Sequence, residues 1–257
     1  MPKENWFNKL FIDEAKPALN RHSGSGGGTV RSIKMYLEAG GKFNITDIED
    51  YGSILEYGDT ENITNMYGFF STNKKLKRFP SLDTKNVTNI SYLCNKNESM
   101  EYVPELDTSK VISAQYTFNE CKSLKIVSAL DLRNVYSSIS FFGSCYALEE
   151  VWVRNINADL QVGSGTTWGH LLIQESLIHL ISELMLSTNN KTKVLTVGSA
   201  NLEKLANVYV RLIEITDEMR VEDDLIDQKL PFEVCESTDE GAIPIIDYAN
   251  SKNWNIA

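Results

Sequence analysis

Apolar residues recur with a period of 24 along the middle of the chain, in four gapless copies that begin at Thr60, Thr84, Thr108 and Leu132. The clearest apolar columns are Ile63/Val87/Val111/Val135, Leu76/Met100/Leu124/Leu148 and Phe79/Val103/Val127/Val151. A fixed period in the twenties predicts stacked repeats, because each copy is too small to bury its own apolar face. We therefore expect a solenoid with one continuous core.

Each copy contains two local patterns. In the first half, the helical spacing of apolar positions predicts one or two helical turns over Ile63–Phe70. The second half, 76–82, predicts a short strand, which recurrent proline (Pro80, Pro104) should break or end, since proline cannot donate to a sheet ladder. Cys121 and Cys145 share a column, so we expect two neighbouring buried thiols, with a disulfide as the alternative.

Outside the repeats, the pattern predicts several further regions. They are an N-terminal helix in 1–22, a Gly/Ser linker at 23–28, an N-terminal cap at 29–59, four repeats at 60–155, a C-terminal cap at 156–205 and an acidic α+β region at 206–257. In the last two regions, helices are predicted at Gln174–Leu186 and Ile246–Lys252, and strands at Lys193–Val197, Val208–Ile215 and Pro231–Cys235.

The N-terminal segment has the apolar spacing of an amphipathic helix, with Trp6, Phe7, Leu10 and Phe11 on one side. A flexible linker of the kind found at Ser23–Gly28 suits a peptide that binds another protein. The alternative is that the helix folds back on its own domain. A membrane-surface helix is not expected, because the segment is short and lacks a strong basic face.

The chain carries 25 Lys and Arg against 35 Asp and Glu, a net charge of -10. Nucleic acid is therefore not an expected partner, since proteins that bind it present a basic face. Residues 206–257 hold 12 acidic and 4 basic residues, which indicates either a solvated acidic face or a contact for a basic partner. No export signal is recognised, and no apolar run reaches the roughly 18–20 residues of a membrane span.

No catalytic, cofactor or metal site is predicted. The four cysteines and three histidines lack zinc-ligand spacing, and the glycine-rich stretch Gly163–Gly169 lacks the lysine of a phosphate-binding loop. The acidic cluster within 222–227 has oxygen ligands that suit calcium, but it lacks the spaced loop, so a solvated turn is expected. No histidine has an identifiable acid or nucleophile partner, so we do not expect an enzyme.

The predicted strands offer a candidate binding surface. If Leu76 and Phe79 point inward, one exposed column is Arg78/Tyr102/Ile126/Glu150 and another is Pro80/Pro104/Ser128/Trp152. Arg, Tyr and Trp are favoured at the centres of interfaces, and curved repeat faces commonly bind partners. The predicted partner-binding residues are therefore Arg78, Tyr102, Glu150 and Trp152. The alternative is that they only cover the sheet.

A resemblance to a known family is visible in two segments of the repeats. They are L-D-T-K-N-V-T-N-I (Leu82–Ile90) and V-P-E-L-D-T-S-K-V (Val103–Val111). They resemble the leucine-rich-repeat family with V-T-N-M-x-x-M-F units, which occurs in bacterial surface antigens, mycoplasma lipoproteins and bacteriophage structural genes. The lead-in at Glu38–Asp47 and the end at Tyr248–Ala257 resemble the phage versions in particular. The family's recurrent Met-Phe is eroded here, for example to Leu93-Cys94.

The resemblance implies a leucine-rich-repeat-like solenoid with helical caps and a small C-terminal α+β appendage. It also implies a non-enzymatic bacteriophage virion protein of the tail, baseplate, neck or capsid, assembled in the host cytoplasm as a symmetric multimer. Its N-terminal helix would bind other virion proteins, and its repeats would be displayed, with a host surface receptor as a further expected partner. The alternative is a bacterial cell-surface adhesin or binding module of the same repeat family.

Overall fold

The computed structural model describes residues 63–73, 76–77, 79, 83–157, 168–169, 171–186 and 193–257. Several predictions lie outside these residues. They are the anchor helix with Trp6, Phe7, Leu10 and Phe11, the linker at 23–28, the N-terminal cap at 29–59 and the side chain of Arg78.

The repeats lie on one another in parallel, with the register that the 24-residue period requires. Strands β1 (Tyr102–Val103), β2 (Ile126–Val127) and β3 (Glu150–Val151) form a parallel sheet in the order β1-β2-β3. Each residue pairs with the residue 24 positions further along, so that Val103 faces Val127 and Val127 faces Val151. The other half of each repeat is paired in the same way, through bridges from Asn65 to Asn89, Ser113 and Ser137 in turn.

The prediction of helical turns at Ile63–Phe70 is wrong, because the structure has consecutive β-turns there. Successive main-chain N–H groups donate hydrogen bonds alternately to the carbonyl three residues earlier and to a carbonyl of the next repeat. The first set is Phe69, Ser71 and Asn73, and the second set is Gly68, Phe70 and Thr72. The stacking of repeats thus uses main-chain N–H groups that an α-helix would need for its own hydrogen bonds. The residues at two columns, Gly68/Tyr92/Tyr116/Ser140 and Thr72/Lys96/Glu120/Ser144, adopt left-handed backbone at each turn.

The apolar columns form a single buried core. Val87, Val111 and Val135 are fully buried above one another, and the same holds for Val103, Val127 and Val151. Phe118 and Phe142 stack with ring centroids 5.7 Å apart. The same cluster of buried residues continues into the C-terminal region as far as Trp254 and Ile256. The repeats and the C-terminal region are therefore stabilised by one shared core.

Cys121 and Cys145 lie in one buried column, and both are free thiols. The Sγ of Cys121 donates to the carbonyl of Cys94 at 3.1 Å, and the Sγ of Cys145 donates to the carbonyl of Phe118 at 3.0 Å. Each thiol therefore bonds to the main chain of the preceding repeat, and neither is paired in a disulfide.

A helix covers the open edge of β3. The predicted helix at Gln174–Leu186 is found as α1 (Gln174–Ser182), in which Ser176 and Leu177 are buried. The hydroxyl of Ser176 bonds to the main chain of Val151, and Ile156 forms a parallel bridge with Leu184 directly after the helix. The segment after the last strand thus forms hydrogen bonds with main-chain groups that would otherwise bond to a further repeat.

The rest of the chain is a compact α+β arrangement. In chain order its elements are β4 (Lys193–Leu195), α2 (Ser199–Leu205), β5 (Tyr209–Leu212), α3 (Asp217–Glu222), α4 (Ile226–Lys229), β6 (Phe232–Cys235), β7 (Ile243–Pro244), α5 (Ile245–Ser251) and β8 (Trp254–Ile256). Strand β4 pairs in parallel with β8, and β5 lies between β6 and β7 in an antiparallel sheet. The three strands predicted here are found with shorter bounds, and the predicted helix at Ile246–Lys252 is found one residue earlier, as α5.

Two buried lysines link the C-terminal region to the C-terminal cap. The Nζ of Lys229 lies 2.7 Å from Glu183 Oε2 and 2.6 Å from Asp223 Oδ2. Lys252 is fully buried, donates to the carbonyl of Leu184 at 2.9 Å, and lies 4.4 Å from the ring centroid of Tyr248. Burial lowers the pKa of Lys252 to about 7, although the charge of Glu183 acts in the opposite direction.

Candidate functional site

The exposed side of β1–β3 and the residues beside it, which we call the strand face, carries Tyr102, Glu150 and Trp152. Tyr102 pairs with Ile126 and Ile126 pairs with Glu150, so these residues form the column that the period predicted. Since paired strands lie about 4.8 Å apart, the main chains of Tyr102 and Glu150 are about 10 Å apart. Tyr102 is exposed, whereas Glu150 and Trp152 are half-buried.

Hydrogen bonds and ring contacts fix the aromatic side chains of the strand face. The indole Nε1 of Trp152 donates to Glu150 Oε2 at 2.9 Å, and its ring centroid lies 5.2 Å from that of His179 on α1. The hydroxyl of Tyr102 lies 3.1 Å from Ser128 Oγ. Because these side chains are already oriented, a partner that binds here would lose less conformational entropy in ordering them.

Charges of alternating sign border the column of Tyr102, Ile126 and Glu150. Lys77, Glu101, Lys125 and Glu149 are exposed at successive levels of the stack, each 24 residues after the last. Their main chains are joined directly, as in the bonds from Glu101 N to Lys77 O and from Lys125 N to Glu101 O. A row of mixed charges beside aromatic anchors suits another protein surface, where complementary charges set orientation and specificity.

A second candidate binding surface, which was not predicted from the sequence, lies on the turns of the repeats. We call it the turn face, and it comprises the exposed and half-buried side chains of segments 64–71, 88–95, 112–119 and 136–143. There Tyr67, Tyr92 and Tyr116 form a row, with ring centroids 5.2 Å and 5.0 Å apart. The shared column of Tyr92 and Tyr116 was readable from the period, but Tyr67 lies one position out of register with them.

Tyr92, at the middle of the tyrosine row, is neutral at physiological pH. Burial first, and then the neighbouring phenols of Tyr67 and Tyr116, raise the pKa of Tyr92 above its ordinary value of 10.0. Tyr92 therefore offers a hydroxyl group and a ring edge without charge.

The acidic cluster at 222–227 is engaged in ion pairs. Asp223 lies beside Lys229, Asp224 lies 3.1 Å from Arg133, and the Asp227 carboxylate lies 3.2 Å from Arg220. Burial raises the pKa of Asp223, but the hydrogen bonds and charges around it outweigh burial and hold that pKa below its usual value. These ion pairs engage three of the candidate calcium ligands, the carboxylates of Asp223, Asp224 and Asp227.

Neither a metal site nor a membrane span is found within the described ranges. No group of three or more His, Cys, Asp and Glu side chains is arranged there to hold a metal ion. Over the same part of the chain, every helix is too short or too polar to cross a bilayer.

Part of the chain matches a known protein family. Residues 34–154 match the family described as Mycoplasma protein of unknown function, DUF285. The match includes the four repeats almost to their end, and its description agrees loosely with the mycoplasma part of the resemblance. The leucine-rich-repeat and bacteriophage parts of that resemblance stay predictions. No curated protein and no solved structure matches the chain.

Proposed function

We propose that residues 60–155 form a leucine-rich-repeat-like solenoid whose strand face binds a protein partner, and that the chain acts by binding and not by catalysis. The observation that supports this proposal is the display of Tyr102, Glu150 and Trp152 in register on one side of a parallel sheet. Tyr and Trp contribute large contact areas at modest cost in side-chain entropy, which makes them frequent centres of interfaces.

We place this module on a bacteriophage virion, at the tail, baseplate, neck or capsid. The predicted N-terminal helix, with Trp6, Phe7, Leu10 and Phe11, would hold it to other virion proteins. The repeats would then face outward toward a receptor on the host, in the several copies that virion symmetry requires. Apolar side chains along one side of a short helix, as predicted for this segment, suit insertion into a groove of another protein.

A second candidate is a bacterial cell-surface adhesin with the same binding module. The description of the matching family as a mycoplasma protein favours this candidate, because it refers to a bacterium and not to a virus. The two candidates share the binding surface and differ in the particle or cell that carries it.

Site-specific cross-linking tests the strand face as the binding surface. A photoreactive amino acid replaces Ile126 at its centre, and a matched control replaces Val221, which is 88% exposed on α3. Applied to intact host cells, the chain modified at position 126 should give one dominant cross-linked protein. That product should disappear when Tyr102→Ala and Trp152→Ala are added. Identical products from both positions, or products that persist in the double variant, would contradict the proposal.

A further inference from the structure

We propose that the turn face binds a neutral, linear glycan laid along the axis of the repeat stack, across Tyr67, Tyr92 and Tyr116. This second site goes beyond the proposed protein-binding function. It lies on a different surface from Tyr102, Glu150 and Trp152.

The turn face lacks charge over its whole length. Segments 64–71, 88–95, 112–119 and 136–143 contain no Asp, Glu, Lys, Arg or His, in a chain of which 23% is charged. Charged residues begin at the flanks of these segments, with Lys110 on one side and Lys96 and Glu120 on the other. The absence of charge therefore follows the stack from one repeat to the next and forms a continuous stripe.

The stripe is rich in groups that form hydrogen bonds without charge. Along the stripe, neighbouring repeats are linked by the buried Ser91 Oγ, which lies 2.8 Å from the half-buried Ser113 Oγ, and by Gln115 Nε2, which donates to Ser137 Oγ at 2.7 Å. At other positions of the stripe, the polar side chains of Thr64 and Asn65 are exposed, and those of Thr88 and Asn89 are half-buried. Such hydroxyl and amide groups can both donate and accept hydrogen bonds.

Exposed carbon surface lies beside these polar groups. Tyr67 is 42% exposed at one end of the tyrosine row, and Ile112 and Tyr136, 24 residues apart, are more than half exposed. The two steps within the row, 5.2 Å and 5.0 Å, advance along the stack by about one repeat each. A ligand with its own short repeat can therefore make equivalent contacts at successive levels.

The chemistry of the stripe favours a neutral sugar over other ligands. Nucleic acid requires Lys and Arg to neutralise phosphates, and membrane-surface binding requires basic residues beside a large apolar face. About a quarter of the residues of a typical protein are charged. This surface would remove water from such charges in a protein partner without providing opposite charges. A neutral glycan has hydroxyl groups to match the polar side chains and C–H groups that contact the edges of the stacked tyrosine rings.

Isothermal titration of the full-length chain tests this inference. The probes are cellohexaose, chitohexaose and maltohexaose, with a heparin hexasaccharide as the charged comparison. At least one neutral probe should bind at up to millimolar concentration, with little dependence on salt, because no charged group contributes. The heparin probe should bind more weakly.

Matched tyrosine variants locate the site. Tyr92→Ala with Tyr116→Ala should weaken binding about tenfold or more, whereas Tyr102→Ala on the strand face should leave it unchanged. If the double alanine variant does not fold, Tyr92→Phe with Tyr116→Phe removes only the two hydroxyls and should weaken binding several-fold.

Four results would overturn the inference. They are no binding of any neutral probe, tighter and salt-dependent binding of heparin, undiminished affinity in the folded tyrosine variants, and dimerisation that is lost in those variants. The last result would assign the turn face to a second copy of the chain. None of these results bears on cross-linking from position 126, so failure here and failure of the proposed function are distinguishable.

Discussion

The hydroxyl group of Ser176 satisfies both main-chain groups of Val151, accepting from its N–H at 2.8 Å and donating to its carbonyl at 3.0 Å. Ser176 lies on α1 and Val151 lies in the last strand of the repeats. A side chain therefore replaces the strand that would continue the stack. It closes an edge that would otherwise be open to pairing with other chains.

The Ser176→Ala substitution should lower the free energy of unfolding by about 1–3 kcal/mol, because it leaves buried main-chain groups of Val151 unpaired. Urea denaturation measures this loss. The matched control is Ser251→Ala, since the hydroxyl of Ser251 bonds only to the carbonyl of Tyr248 within its own helix. The control should change stability by less than about 0.5 kcal/mol. Equal losses in the two variants would contradict the closing role of Ser176.

Lys252 should make stability depend on pH. Its pKa is about 7 in the folded protein and has the ordinary value of 10.5 in the unfolded chain. Unfolding therefore takes up a proton between these two values, and the free energy of unfolding rises with pH across that window. The contribution of one such group is at most about 1.4 kcal/mol per pH unit.

The Lys252→Met variant isolates this effect from other titrating groups. The free energy of unfolding of the natural protein, minus that of the variant, should increase as pH rises from about 7 toward 10.5. Urea denaturation at several pH values within this window measures the difference. A difference that stays constant or falls with pH would show that Lys252 is protonated in the folded state.

Removal of the buried cation Lys229 should be far more damaging than removal of an exposed one. Lys229→Met leaves the carboxylates of Glu183 and Asp223 without their cation, which should cost about 3–5 kcal/mol of unfolding free energy. Lys122→Met breaks the exposed pair with Glu98 and should cost less than about 1 kcal/mol. Thermal and urea denaturation of both variants compare the two ion pairs. Similar losses would contradict the burial of the Lys229 cluster.

The four cysteines should differ in reactivity in the folded protein. Burial raises the pKa of Cys94 and Cys121, and raises that of Cys145 to about 12, so their reactive thiolate forms are scarce at neutral pH. Cys235 is only half-buried in β6. A thiol reagent should modify one cysteine rapidly in the native chain and all four after denaturation.

The Cys235→Ser variant is the control for this assay and should show no rapidly reacting thiol. Peptide mass mapping then identifies each modified position. Two or more fast thiols in the native chain, or a disulfide between Cys121 and Cys145, would show that the buried column differs from the structure.

The 24-residue period was enough to predict which residues share a column. Val103, Val127 and Val151 are paired as the alignment required, because apolar identity recurs wherever a side chain enters the core. The prediction of helical turns was wrong, since three- and four-residue spacing of apolar residues also fits consecutive β-turns. Tyr92 and Lys96 carry no sequence signal for left-handed backbone.

Long-range pairing explains what local patterns could not predict. The left-handed conformation of Tyr92, which costs of order 1 kcal/mol in a non-glycine residue, is accompanied by a hydrogen bond from its N–H to Gln115 O at 2.8 Å. The buried Lys252 and Lys229 also depend on contacts with Leu184 and Glu183, more than 40 residues earlier in the chain. Such partners are known only once the fold is known.

Quantitative mass spectrometry tests most directly whether this binding module is carried by a virion. Copies of the chain are counted in purified phage particles, and in the envelope and soluble fractions of the cells that produce it. A virion protein should be present in particles at a fixed copy number that is a multiple of three, five or six, as ring or capsid symmetry requires. Absence from particles, with recovery of the chain on the cell surface, would contradict the virion assignment and favour the adhesin.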